Sequence, residues 1–269
     1  MLACTIVVFY SALVGAQLTL TPEADLQGGL EQYDRAVEIQ SNQPDEARRL
    51  FLSAAKRWSR IATGGIADEG IASGPLEFNI GNAYLQAGDT GRAILHYRRA
   101  ERLIPGDAYL QNNLESARDR RLSPIKATRQ SGILRSVLFI HYAVSGPARA
   151  RAAIIAFALI WVFLIIRLFA AQRPALIGAI LSVIVAGSLG VSVGAESWSQ
   201  RRTPEGVVTE MDVVAFQGPG TGYKRKFVEP LQPGLEFTRL QRRGDWQQIQ
   251  LPDAQTGWIR IDQAELIAG

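Results

Sequence analysis

"FNIGNAYLQAGDTGRAILHYRRAERLIP", residues 78–105, holds the glycine on which the fold turns. Two runs of strong helix formers flank Gly88-Asp89, a pair suited to a turn whose aspartate caps the second run. Gly81 lies inside the first run, where glycine costs roughly 1 kcal/mol against alanine. Close approach of a second helix would offset that cost. Ala93 and Ala100 in the second run leave matching space, and Tyr84 and Tyr97 fill the rest. The stretch reads as a helical hairpin that crosses at Gly81 and Ala93 and ends at Pro105.

Ile80, Gly81, Tyr84, Ala93, Tyr97, Ala100 and Pro105 together resemble the 34-residue tetratricopeptide unit. One position departs from it: Glu77 stands where that family has a large aromatic, and Phe78 is expected to fill the space. Upstream, Ala47, Phe51 and Ala54 repeat the spacing of Ala93, Tyr97 and Ala100, so 26–40 reads as the first helix of an earlier unit. Downstream, 107–121 reads as one further helix, with Leu110 and Leu114 covering the end of the stack. Fewer than three repeats is marginal for a solenoid, so 58–73 or a partner is expected to complete the core. The all-α repeat region is set at 17–122.

Such stacks bind extended peptides or partner helices along the first helix of each pair. On that face fall Asn79, Asn82 and Gln86, followed by Asn112, Asn113 and Ser116 on the next helix. An amide can donate to and accept from a ligand's backbone. Asparagine in these places also bonds helix to helix. Both roles stand open at this point.

Two apolar segments follow a linker at 123–151, which is assigned a membrane-interfacial stretch. Segment 152–171 has 20 residues and one charge, and 175–195 has 21 and none, each long enough to span a bilayer. Gln172-Arg173-Pro174 reads as the turn of a two-helix hairpin. Gly178, Ser182, Ala186, Gly190 and Gly194 recur every fourth residue, a stripe that permits close packing, with Ala152 and Ala156 opposite. The charge fits this reading. The chain carries 17 basic and 15 acidic residues over 17–150, 5 and 1 over 151–202, and 7 and 9 over 203–269. The net +4 and the pI of 9.4 therefore arise beside the apolar segments, which points to lipid head groups and away from nucleic acid.

At the other end, 1–16 reads as a signal peptide, with an apolar run closing on Val14-Gly15-Ala16. A hairpin leaves both flanks on one side, and the signal places them outside. The arginines at 149, 151, 201 and 202 argue for the cytoplasm by the positive-inside rule, but long domains translocate largely regardless of loop charge. The expected location is the bacterial inner membrane, multi-pass, with both flanking regions on the periplasmic or exterior side.

Over 203–269, short alternating runs and Gly/Pro turns read as brief strands. Gly244-Asp245-Trp246 and Gly257-Trp258, with Leu251-Pro252-Asp253 between them, resemble a bacterial SH3-like barrel, a small all-β domain. Tyr223, Trp246 and Trp258 are candidates for an aromatic groove that takes a peptide or a cell-wall stem, and the two tryptophans equally suit a small core. Cys4 is the only cysteine, which excludes a disulfide or thiolate metal site within one mature chain. His96 and His141, the only histidines, lie 45 residues apart in the sequence and neither has a second ligand at metal spacing, so each reads as an ordinary surface or interface histidine. No catalytic constellation, cofactor motif or metal cluster is present in the sequence.

The order of signal, helical repeats, membrane hairpin and SH3-like barrel resembles the membrane tetratricopeptide protein of the bacterial aerotolerance operon, the BatE-like family. That resemblance implies a non-enzymatic scaffold beside membrane proteins with von Willebrand A domains and a MoxR-type AAA+ ATPase. The competing expectation is an envelope anchor or sensor that binds peptidoglycan through the barrel.

Overall fold

The computed structural model describes residues 22–64, 73–121, 146–170, 173–202 and 204–267. The segment read as a signal peptide (1–16), with Cys4, His141 and most of the stretch read as a linker, lies outside them. The chain divides between Ala72 and Ser73 into two compact units. The helical region read as 17–122 is thus divided internally, beside the glycine-rich run GGIADEGIASG at 64–74. Its second part shares a unit with the strands.

The first unit contains a hairpin of α1 (Pro22–Ile39) and α2 (Pro44–Ala62). Pro44 opens α2 where its missing N–H costs nothing, and Asp45 and Glu46 complement the helix dipole. Ala47, Phe51, Ala54, Trp58 and Ile61 form the buried stripe of α2 at helical spacing. Gly29 of α1 lies under Trp58, where a β-carbon would come within 2.2 Å of the indole Nε1. Tyr33, one turn on, packs edge-on against Phe51 at 5.1 Å. Asp25 is fully buried; its carboxylate accepts from Arg57 at 3.2 Å and from two nitrogens of Arg60 at 2.6 and 2.9 Å.

The second unit opens with α3 (Gly74–Gln86), α4 (Thr90–Leu103) and α5 (Ala108–Asp119). Ser73, Asp89 and Asp107 each accept from a backbone N–H three residues on, capping all three helices. Gly88 makes the α3–α4 turn at φ +80°, a conformation glycine adopts without strain. A β-carbon on Gly81 would lie 2.5 Å from the Tyr97 ring, so the glycine is what lets α3 and α4 cross. Leu110 and Leu114 of α5 are fully buried over the end of the pair.

Glu77 and Phe78 meet different neighbours. Phe78 packs on Tyr97 at 5.9 Å, because adjacent residues of a helix point about 100° apart. Glu77 is itself buried and meets His96 Nδ1 at 2.6 Å, and Tyr84 stacks on that imidazole at 5.4 Å. A carboxylate, an imidazole and a phenol ring thus pack together between α3 and α4.

Helices α6 (Gly146–Ala170) and α7 (Arg173–Arg202) pack together, and each is long and apolar enough to cross a membrane, over Ala148–Phe169 and Arg173–Gly194. Helix α7 takes Arg173 and Pro174, read as turn residues, into its first turn, where proline is tolerated. The close seam lies at one end of the expected stripe. Ala156, Ala175, Ala179 and Ser182 are buried and Gly178 lies against Phe163, whereas Ala152 is exposed and a β-carbon on Gly190 or Gly194 would meet nothing within 4 Å among the described residues. Further along, Arg149 donates to the Ser192 hydroxyl at 2.6 Å.

Five strands complete the unit: β1 (Glu205–Val208), β2 (Glu236–Arg243), β3 (Trp246–Gln250), β4 (Thr256–Arg260) and β5 (Ala264–Leu266). They form one antiparallel sheet in the order β4-β3-β2-β1-β5. Val208, Leu235, Phe237, Ile249 and Ile259 build its core, closed by Val213, Ala215 and Leu231 from the long β1–β2 connection. A register shift between Arg239 and Gln241 bends β2.

Candidate functional site

Three surfaces of the second unit carry the residues that bear on function. The first is the amide face of α3 and α5. Asn82 Oδ1 accepts from Tyr97 Oη at 2.7 Å and from Asn113 Nδ2 at 2.9 Å, so the two asparagines bond helix to helix. Around this pair Asn79, Gln86 and Asn112 are exposed and Ser116 is half-buried. The structure thus places all six on neighbouring helices and ties two of them together.

The second surface is the reverse of α4, and nothing in the sequence reading anticipated it. Here the sheet packs against α4 and α5. A β-carbon on Gly91 would lie 2.9 Å from Pro233 and 3.1 Å from the Val208 carbonyl, and one on Gly234 would lie 2.9 Å from Ile94. Around this close contact runs a seam of ion pairs. Arg92 donates to Glu210 at 3.0 Å and Arg98 to Glu205 at 2.6 Å, while Arg99 bonds the Leu266 carbonyl at 2.9 Å and Glu265 at 3.4 Å. Glu236 sits at the centre, gripped by both ends of the Arg118 guanidinium at 2.8 and 2.9 Å, with Arg98 at 3.1 Å and Arg121 at 3.9 Å. Burial works to raise the Glu236 pKa, but the Arg118 hydrogen bond and the charges of Arg98, Arg118 and Arg121 outweigh it and hold the carboxyl below its ordinary value. The sequence did contain a signal: "AILHY", 93–97, is buried throughout, and a helix apolar on more than one side has more than one neighbour.

The third surface is the outer face of the sheet. Residues directly paired across antiparallel strands point to the same side. Arg243, Trp246 and Arg260 therefore form one row, and Gln248, Trp258, Phe216 and Arg225 the next. Phe216 meets Trp246 edge-on at 5.6 Å, and the Arg243 guanidinium lies 5.6 Å over the Trp258 ring, which leaves Trp258 buried. Of the expected aromatic groove, Trp246 and Trp258 come to one face, joined by Phe216, which the sequence reading missed. Tyr223 is exposed and covers Gly218, two residues from Phe216.

Among the described residues, no cluster of His, Cys, Asp or Glu has the makings of a metal site. No family model, curated protein or solved structure matches the chain.

Proposed function

We propose that the chain is a non-enzymatic scaffold held in a bacterial membrane by α6 and α7, capturing protein partners on the amide face of α3 and α5. The observation that carries this reading is the arginine–glutamate seam. It joins 73–121 to 204–267, the two flanks of the apolar hairpin, in one body. Two spans return the chain to the side it left, as such a body requires, whereas a single crossing would divide it.

The surfaces of α6 and α7 support the same reading, since Trp161, Leu168, Phe169 and Val191 are all exposed and apolar surface of that extent calls for lipid. The seam also decides which faces remain open. It occupies the reverse of α4 and leaves the amides on the other side. On this reading the helices are tetratricopeptide units, the sheet is an SH3-like barrel that braces them, and the chain is BatE-like. Its partners are then membrane proteins with von Willebrand A domains, served by a MoxR-type ATPase, and the body faces the periplasm or exterior.

Crosslinking with mass spectrometry in native membranes tests it. Crosslinks from α3 and α5 to von Willebrand A-domain membrane proteins are expected, and they should diminish when Asn79, Gln86 and Asn112 are replaced together by Ala. Partner crosslinks confined to the sheet would overturn the assignment to the amide face.

A further inference from the structure

The small sheet domain segregates its charge. Glu205, Glu210, Glu236 and Glu265 face the arginines of α4 and α5. Of its seven basic residues, only Arg260 enters an ion pair among the described residues, with Asp262 at 3.1 Å. Arg225 and Arg243 are exposed at the ends of the rows that hold Phe216, Trp246 and Trp258, whereas Lys224, Lys226 and Arg242 alternate with outward residues and belong to the other side. The outer face thus sets Arg225, Arg243 and Arg260 around its aromatic rings, and Asp262 and Asp245 act on Arg260.

We propose that this face docks on the anionic phospholipid head groups of the membrane that holds α6 and α7. The inference rests on reading those helices as spans. Guanidinium groups bond phosphate oxygens in pairs, and tryptophan rings favour the head-group level of a bilayer. The tether is short. The apolar window of α7 ends at Gly194, the helix continues to Arg202, and β1 opens at Glu205. Residues 195–202 extend about 12 Å at helical rise, little more than the roughly 8–10 Å over which an anionic surface attracts cations at physiological salt. Each cation that reaches the surface strengthens the docking roughly fivefold.

The test uses the full chain with Cys4→Ser and a fluorophore on Gln241→Cys, an exposed position paired with Gln248 at the edge of this face. It is placed in nanodiscs of phosphatidylcholine alone or mixed equally with phosphatidylglycerol, and quenching by acrylamide, a neutral quencher, is measured. Quenching should fall several-fold in the mixed discs, return in high salt and return in Arg225→Glu/Arg243→Glu, while Arg225→Lys/Arg243→Lys stays protected. Equal quenching in both lipids, or protection that survives charge reversal, overturns the proposal. So does protection in phosphatidylcholine discs on adding purified cell-wall sacculi, which would assign the face to peptidoglycan. Failure to enter discs of either lipid breaks the span reading and the proposal with it, whereas entry without lipid dependence breaks the proposal alone.

Discussion

In the hairpin α1–α2 the crossing glycine, Gly29, lies under Trp58, and in α3–α4 Gly81 lies under Tyr97. Four residues before each glycine, on the same helical face, stands a buried acid, Asp25 or Glu77. A glycine that brings two helices together thus also brings the carboxylate one turn earlier against the partner helix, which must supply a partner for it. The hairpins meet that demand differently. Asp25 takes two arginines that reach in from the edge, with side chains 34 and 41% exposed, whereas Glu77 takes His96, itself buried under Tyr84. Their outer sides differ too: Arg48, Arg49 and Lys56 of α2 are exposed, while Arg92, Arg98 and Arg99 of α4 are spent on the sheet. The same crossing rule serves a hairpin with an open back and one with a docked back.

The largest effects fall on what the hairpins share. Gly29→Leu and Gly81→Leu should each destabilise the chain by about 3 kcal/mol or more through overpacking, read as thermal unfolding in detergent. The alanine variants should be milder, yet clearly harmful, since even a β-carbon would lie within 2.5 Å of a ring that a hydrogen bond holds in place: Trp58 to the Leu26 carbonyl, Tyr97 to Asn82. If Leu is tolerated at either glycine, the crossing rule fails there.

Next comes the buried acid of the first hairpin. Removing both cations, Arg57→Ala with Arg60→Ala, strands a buried carboxylate and should cost about 3–5 kcal/mol. Asp25→Ala frees two arginines that already reach water and should cost roughly 1–2 kcal/mol. Equal losses would mean that Asp25 is not desolvated as the structure has it.

The docked back of α4 gives the third prediction. Because the Glu236 pKa lies lower in the folded chain than in the unfolded one, its contribution is complete above the ordinary carboxylate range and is lost as pH falls through the depressed value. Glu236→Gln should weaken the docking by roughly 2–4 kcal/mol at neutral pH and flatten its loss in acid. Hydrogen exchange of β1 and α4 against pH measures both. An unchanged acid profile in the variant would remove Glu236 from the seam's titration.

The smallest effect separates the amide roles. Asn82→Ala with Asn113→Ala should lower stability by about 1–2 kcal/mol, because Tyr97 loses its acceptor. Unchanged melting would mean the bonds to Tyr97 and Asn113 carry nothing and would return both residues to the ligand groove.

These outcomes also mark what the sequence could carry. The α3–α4 hairpin was legible because Gly81, Gly88, Asp89 and Tyr97 act over at most a few turns of chain, where spacing determines contact. The apolar lengths of α6 and α7 were legible for the same reason, although the stripe at Gly190 and Gly194 shows that periodicity gives the face and not how far the neighbour follows it. The Glu77–His96 pair was missed: the two residues read separately as a family departure and an ordinary histidine, and only the crossing joins them. The seam was least legible, since Arg118 and Glu236 lie 118 residues apart with both apolar helices between them. On the sheet, the tryptophans stood out, but placing Phe216 beside them needed the strand register.

The docking of 204–267 onto α4 across the apolar hairpin is the central claim, and a cysteine trap tests it most directly. In a Cys4→Ser background, Gly91→Cys and Pro233→Cys would place β-carbons about 2.9 Å apart, close enough for a disulfide after a small shift. After mild oxidation in intact membranes and proteolysis within 122–145, the two flanks should remain joined until reductant is added, and either cysteine alone should give no link. Fragments that separate without reductant, in a chain that still folds, would contradict the claim.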